Sequence, residues 1–251
     1  MKKVVIIIVL LVLFYSSQHV LAGDDMGFRF VRVVYDDIGR DIMDGGFGRG
    51  GRGGGRRGMW ATDWPTADYN LHEAIARTTE IKVMGDPLIY SFLDTTIFEY
   101  PVVYLTEPGY WLTNETEVKN IRKYLDRGGF FIIDDFHDYG GFGSQWYNMY
   151  NNMKQVFPER EPILLEADHP IWSIYYDIDP VEAPSTKPGF SRYEDQYYAF
   201  YDDDGRIMCI ICYNQDISDG WEWPLGRVVT TEASTVSFQM GINFIIYALT
   251  H

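Results

Sequence analysis

The chain has 251 residues, a length that suits one large domain or one domain with sizeable insertions. Hydrophobic residues make up 46% of it and charged residues 23%, which excludes a disordered chain, a collagen and a protein with many membrane spans. Asp and Glu number 36 against 21 Lys and Arg, and the net charge of −15 repels phosphate backbones, so we expect no nucleic acid among the partners.

The first residues have the pattern of an export leader. Lys2-Lys3 is a basic start, residues 4–15 are apolar, and Val-Leu-Ala at 20–22 is a small-residue cleavage site. The apolar run is shorter than the roughly 17–25 residues of a membrane-spanning helix. We therefore expect residues 1–22 to be a signal peptide, the mature protein to be periplasmic or secreted, and no stable transmembrane segment to remain after leader removal. A leader that stays uncleaved as an anchor is the alternative.

Residues 23–251 form the predicted domain, which begins with a Phe- and Val-rich strand at 28–35. The segment 45–58 consists almost entirely of glycine and arginine. Because it offers little apolar surface to bury, we expect a flexible, exposed loop inserted in the domain. A contact between its arginines and an anionic partner is the alternative.

Helical and strand periods then alternate along the chain. Helices are predicted over residues 68–79 and 236–248. A third begins at the capping box of Asn114 and Glu117, and a fourth runs from its N-cap Ser144 to Pro158. Apolar strands are predicted at 81–84, 101–106, 130–133, 162–165 and 207–212. The stretch 177–204 fits less well and is interpreted as a loop with an antiparallel hairpin that turns at 203–205. The alternation predicts an α/β fold, a three-layer sandwich with a mostly parallel sheet.

The two cysteines, Cys209 and Cys212, fall inside one predicted apolar strand. Side chains three residues apart on a strand point to opposite faces of the sheet, so a disulfide between them would be strained. The sequence therefore predicts two buried free thiols. A redox-active Cys-x-x-Cys pair at the start of a helix is the alternative.

Short motifs are spread over nearly the whole mature chain. They are WPTAD at 64–68, YPVVYLT at 100–106, LDRGGFFIIDD at 125–135, DHPI at 168–171, NQD at 214–216 and GINFIIYALT at 241–250. Together they resemble a family of exported bacterial proteins that is known only as a domain of unknown function. The resemblance implies a class I glutamine-amidotransferase-like fold, which is a flavodoxin-like three-layer sandwich, and it implies no established activity.

In an open parallel sheet, ligands bind beyond the carboxyl ends of the strands, an edge that we call the carboxyl rim. The predicted strand ends carry Asp36-Asp37, Glu107, residues 134–138, Asp168-His169 and residues 214–216. Stacked carboxylates repel one another unless a proton or a cation compensates. We expect no cofactor, and a hard divalent metal held by these oxygens is the alternative. Capping of turns and helices by the same side chains is the structural alternative.

The candidate residues follow from this rim. The catalytic candidates are Asp134, Asp135, His137 and His169, and the metal candidates are Asp134, Asp135 and His137. The ligand-binding candidates are Glu107, Asp168, Asn214, Asp216 and Trp221. For His169 a turn that enters the apolar segment after it is the alternative, and residues 214–222 are interpreted first as an Asx-rich loop.

The chain has no Gly-x-Cys-x-Gly or Gly-x-Ser-x-Gly elbow of the kind that amidotransferase-type nucleophiles require. Ser144 is a predicted N-cap, with a nucleophile beside an anion-binding loop as its alternative. Several tryptophans are predicted in loops, where they either cover the core or bind a glycan or an envelope protein: Trp60, Trp64, Trp111, Trp221 and Trp223. The sequence favours a non-catalytic binding or assembly module of the cell envelope. A metal-assisted hydrolase of a glycan, peptide or ester at the carboxyl rim is the alternative.

Overall fold

The computed structural model describes residues 27–38, 58–138, 142–186, 195–226 and 228–251. The predicted leader and the glycine- and arginine-rich segment as far as residue 57 lie outside these residues. Among the described residues, no helix combines the length and the apolar character that crossing a membrane requires.

Strands and helices alternate through most of the described chain. The strands are β1 Val31–Val33, β2 Asp36–Asp37, β3 Leu88–Tyr90, β4 Val102–Thr106, β5 Trp111–Leu112, β6 Phe130–Phe136, β7 Ile163–Leu164, β8 Gln196–Tyr201 and β9 Ile207–Tyr213. The α-helices are α1 Thr66–Thr78, α2 Glu115–Asp126, α3 Ser144–Val156, α4 Ile217–Glu222 and α5 Thr231–Thr250.

Seven of these strands form one mostly parallel sheet in the order β3-β1-β4-β6-β9-β8-β7. The first five strands in that order are parallel, whereas β8 is antiparallel to β9 and β7 is antiparallel to β8. A separate antiparallel pair joins β2 to β5. The predicted hairpin before β9 is confirmed, since β8 and β9 are joined by a turn at residues 202–205.

Both faces of the sheet are apolar, because the side chains of the central strands alternate between two cores. Phe130 and Ile132 pack on one face with residues of α1, α4 and α5. Phe131 and Ile133 pack on the other face with residues of α2 and α3. The prediction of an α/β fold with a mostly parallel sheet is confirmed, and the arrangement is compatible with a three-layer sandwich.

The cysteine strand has the predicted character. Cys209 and Cys212 lie in β9, both are buried and neither is in a disulfide. Cys209 packs in the core of the α2–α3 face and Cys212 in the opposite core, as expected for positions three apart on a strand. Burial raises the pKa of both thiols well above the ordinary value.

The start of α3 differs from the prediction. Ser144 is the first residue of the helix, and the N-cap is Gly143, which has no side chain to offer. The carboxylate of Asp138 takes that role, accepting hydrogen bonds from the backbone N–H groups of Gln145 (3.0 Å) and Trp146 (2.8 Å). The predicted N-cap role of Ser144 is therefore wrong, because two N–H groups of the first turn bind the carboxylate of Asp138 instead.

Candidate functional site at the carboxyl rim

Three neighbouring strands end at the carboxyl rim in the same unusual way. β4, β6 and β9 lie side by side, and at their ends Glu107 (φ 52°), Asp135 (φ 57°) and Asn214 (φ 61°) have left-handed backbone. That conformation is uncommon for residues with a Cβ atom. At Asp135 it coincides with a bulge in β6, which interrupts the strand's alternation between faces. The charge of Asp135 contributes to a raised pKa of the neighbouring Asp134.

Asp134 is enclosed and fully hydrogen-bonded. Its carboxylate accepts the Tyr104 hydroxyl (2.9 Å) and the backbone N–H groups of Ile217 (3.2 Å) and Ser218 (3.2 Å). Burial, followed by the charges of Asp216 and Asp135, raises the pKa of Asp134 well above the ordinary range. These contacts match the structural alternative, in which the side chain caps the first turn of α4.

The closest group of carboxylates at the rim consists of Asp63, Asp216 and Asp219. One oxygen from each lies within 4.8 Å of the others, and among the described residues no other set of three acidic, histidine or cysteine side chains is that close. Asp63 comes from the loop before α1, and the other two come from the start of α4. Asp216 is also the N-cap of α4, since its Oδ1 accepts the backbone N–H of Asp219 at 2.9 Å. Asp134, Asp135 and His137, the predicted metal ligands, do not converge in this way.

The Ser218 hydroxyl lies between two of these carboxylates. Its Oγ is 2.7 Å from Asp63 Oδ2 and 3.0 Å from Asp216 Oδ1. A hydroxyl carries one proton and can donate to one carboxylate only. The shorter contact assigns that proton to Asp63, while Asp216 Oδ1 also accepts the backbone N–H of Asp219. Burial and the charges of Asp216, Asp135 and Asp219 raise the pKa of Asp63 well above its ordinary value.

A buried ion pair holds the loop that carries Asp63. Arg32 on β1 and Asp68 on α1 are both fully buried and form a bidentate pair, with the shortest N–O distance 2.6 Å. Arg32 also donates to the carbonyls of Trp60 (3.1 Å) and Thr62 (2.9 Å). Asp68 takes the bidentate contact of Arg32, and the charge of Asp63 also acts on the guanidinium and helps to raise its pKa.

Two predicted rim residues lie at the opposite end of the sheet. His169 Nδ1 accepts the backbone N–H of Ile171 at 3.2 Å, and its ring lies beside Tyr201 and Tyr247. The Tyr247 hydroxyl accepts the backbone N–H of Ile207, the first residue of β9. The predicted placement of His169 at the carboxyl rim is therefore wrong. The same holds for the adjacent, exposed Asp168, because the chain folds back along the sheet after β7. The turn predicted as the alternative for His169 is present.

The tryptophan predicted to contact a ligand is a core residue. Trp221 lies in α4 and is fully buried, edge-on to Phe30, and its indole N–H donates to the Ser237 carbonyl at 2.9 Å. The loop predicted around Trp221 is wrong, and of the two alternatives for the loop tryptophans, Trp221 and Trp111 match coverage of the core. The helix around Trp221 was predicted as a loop because six residues are too few to show a helical period.

The remaining candidates lie at the rim. The Glu107 carbonyl accepts the Tyr35 hydroxyl at 2.9 Å. The Asn214 side chain accepts the backbone N–H of Asp138 at 3.3 Å, which ties the end of β9 to the end of β6. The His137 backbone N–H donates to Gln145 at 3.3 Å, and the residue is half-buried.

Sequence reasoning missed Asp63, Ser218 and Asp219. The Ser218 hydroxyl and the Asp63 carboxylate that it contacts are 155 positions apart, so no local pattern links them. The available signal was the position of Asp63 directly before the WPTAD motif at 64–68, a segment rich in residues that form turns.

Comparison with curated proteins returned no match for the chain. Residues 47–249 match a family described as Domain of unknown function (DUF4159), and this match spans the predicted α/β elements from α1 to the last turn of α5. The family description names no activity, and a shared fold does not by itself imply one. The chain belongs to the DUF4159 family of domains of unknown function.

Proposed function

We propose that the protein is an exported cell-envelope module that binds a divalent cation at its carboxyl rim through Asp63, Asp216 and Asp219. The observation that carries the proposal is the convergence of these three carboxylates, whose oxygens lie within 4.8 Å of one another, with one serine hydroxyl in contact with two of them. Carboxylate oxygens are the ligands that calcium, magnesium and manganese prefer. A bound cation would offset the charges that these three carboxylates bring together.

The charges around the group support a cation. Asp63 and Asp216 are buried, so water screens their repulsion poorly, and Asp135 adds a third charge that acts on Asp63. A divalent ion offsets that repulsion directly. The half-buried Asp219 leaves one side of the group open to solvent, which provides a way in.

The proposal includes the expected fold and compartment. A mostly parallel sheet with helices on both faces supports a class I glutamine-amidotransferase-like fold. The basic start, short apolar run and small-residue site at 20–22 support export to the periplasm or outside the cell, with a mature chain that begins at Gly23. An envelope protein or a glycan is the partner class that this location favours.

A binding or assembly role fits the rim better than the metal-assisted hydrolase that the sequence offered as its alternative. That hydrolase used Asp134, Asp135, His137 and His169, and His169 lies at the other end of the sheet. One observation favours a hydrolase that uses other residues. The Asp63 carboxyl group has a raised pKa, which suits a general base, and it contacts the Ser218 hydroxyl. Ser218 is fully buried, however, so a substrate could reach it only after α4 moved.

Thermal unfolding of the mature protein with and without calcium, magnesium, manganese or zinc tests the proposal. A cation at a hundredfold excess over its Kd stabilises the folded state by about 2.7 kcal/mol, which for a domain of this size raises the Tm by roughly 5–10 °C. Asp216→Asn should remove most of this rise, because asparagine keeps the N-cap of α4 but loses the charge. The matched control is Asp204→Asn in the exposed hairpin turn, which should respond to cations like the parent protein.

Two results would contradict the proposal. One is a Tm change below about 1 °C for all four cations, which corresponds to well under 1 kcal/mol of binding linkage. The other is an equal rise in the parent protein and in Asp216→Asn, which would place the cation elsewhere.

A further inference from the structure

A second set of acidic side chains lies at the rim around Tyr35. The Tyr35 hydroxyl contacts the carbonyls of Thr106 (2.8 Å) and Glu107 (2.9 Å), and the Thr106 hydroxyl donates to Asp135 Oδ2 at 3.2 Å. Asp37 reaches the same place through the β2–β5 pair, where it lies opposite Trp111. The members of this set come from the ends of β2, β4 and β6 and none belongs to the three-carboxylate group, although the charge of Asp135 acts on Asp63.

Asp37 has a carboxylate oxygen whose bonding is incomplete. The residue is 7% exposed, and its Oδ2 accepts the backbone N–H of Met59 at 2.9 Å. Its Oδ1 is buried and has no hydrogen-bond partner among the described residues. Buried polar atoms in native proteins are nearly always satisfied, and a buried anionic oxygen is among the costliest to leave without a donor. An external donor is therefore the simplest partner for this atom.

The charges of the set act on the same two tyrosines. Burial, followed by the charges of Glu107, Asp37 and Asp135, raises the pKa of Tyr35 well above its ordinary value. Burial, Glu107 and Asp135 also raise the pKa of Tyr110. Glu107 and Tyr110 are only half-buried, so the set reaches solvent on their side.

The spacing and the aromatic rings indicate the kind of donor. These carboxylates do not come within reach of a single ion, unlike Asp63, Asp216 and Asp219. An ammonium or guanidinium group carries several N–H donors, forms charge-assisted hydrogen bonds to separate carboxylates and lies well against tyrosine rings. We propose that Asp37, Glu107 and Asp135, with Tyr35 and Tyr110, form a binding site for an organic cation of the ammonium or guanidinium type.

Calorimetric titration of the mature protein with L-argininamide and L-lysinamide tests this site, with tetramethylammonium as a cation that has no N–H donor. Binding of either amide, at least about tenfold tighter than tetramethylammonium, is the expected result. Binding of argininamide alone identifies a guanidinium site, and binding of lysinamide alone an ammonium site. Binding of neither amide, or equal binding of tetramethylammonium, would overturn the proposal.

Asp37→Asn is the decisive variant, because its amide oxygen still accepts the Met59 N–H while the charge is lost. We expect affinity for the amides to fall about tenfold or more. The matched control is Asp36→Asn, the exposed neighbour on the same strand, which should bind as the parent does. Unchanged binding in Asp37→Asn would overturn the proposal. If that variant does not fold, Glu107→Gln takes its place, with the same expected loss and the same contradicting result.

The outcome is separable from that of the divalent-cation proposal. Asp37→Asn should keep the Tm rise with divalent cations, and Asp216→Asn should keep its affinity for the amides. Loss of both properties in either single variant, with the fold intact, would contradict the assignment of two distinct sites.

Discussion

At the scale of single residues, the Arg32–Asp68 pair is the contact whose disruption we expect to lower the stability most. Both side chains are fully buried and joined by a bidentate contact, and Arg32 also holds the loop that leads to Asp63. A buried ion pair adds little net stability when it is intact, because both charges are desolvated. Removing one partner leaves the other charge buried without compensation, which is strongly destabilising.

We therefore expect Asp68→Ala to lower the free energy of unfolding by about 3–5 kcal/mol. The control is Glu73→Ala, which breaks the pair with Arg77 on the same helix, where both side chains are exposed. Surface pairs of this kind contribute between about 0 and 1 kcal/mol. Urea denaturation of both variants measures the difference, and equal losses would show that the burial of Arg32 and Asp68 does not have the assigned cost.

At the scale of the elements, aspartates at strand ends hold the first turns of helices. Asp138 follows β6 and caps α3, while Asp134 and Asp216 both accept backbone N–H groups in the first turn of α4. A carboxylate at a helix N-terminus satisfies free N–H groups and complements the helix dipole. Much of the acidic character of the rim therefore has a structural use, and Asp216 combines that use with membership of the three-carboxylate group.

The capping of α3 gives a direct comparison of two variants. Asp138→Ala removes the acceptor for two N–H groups and for the Tyr213 hydroxyl, so we expect a loss of about 1–2 kcal/mol in unfolding free energy. Ser144→Ala should stay within about 0.5 kcal/mol of the parent, because Ser144 is not the cap. Chemical denaturation measures the unfolding free energy of both variants. A larger loss in Ser144→Ala than in Asp138→Ala would indicate that Ser144 is the N-cap after all.

Most long elements were predictable from the sequence, as were the short β1 and β7, whereas β3 and the short helix α4 were not. The capping box of Asn114 and Glu117 is confirmed at α2, and the apolar run at 130–133 is confirmed as part of β6. β3 was not predicted, and the strand predicted at 81–84 provides only an isolated bridge between Phe28 and Val83. These edge segments have few residues and form through pairing with distant strands, so their own pattern carries little signal.

At the scale of the whole molecule, strand order brings distant acidic residues to one rim. The α/β pattern predicted that the carboxyl ends of the strands lie at one rim. The strand ends that face one another are set by the order β4-β6-β9, by the bulge at Asp135 and by the loop that Arg32 holds. No local sequence pattern specifies any of these three features. For that reason the sequence included Asp216 among the ligand-binding candidates but missed Asp63 and Asp219, which complete the group.

The central claim is that Asp63, Asp216 and Asp219 bind one divalent cation, and a crystal structure of the mature protein grown with manganese tests it most directly. We predict one anomalous-scattering peak within about 2.6 Å of an oxygen from each carboxylate, and no such peak in Asp216→Asn crystals grown in the same way. Manganese bound only elsewhere on the protein, with the three carboxylates holding no ion, would contradict the account.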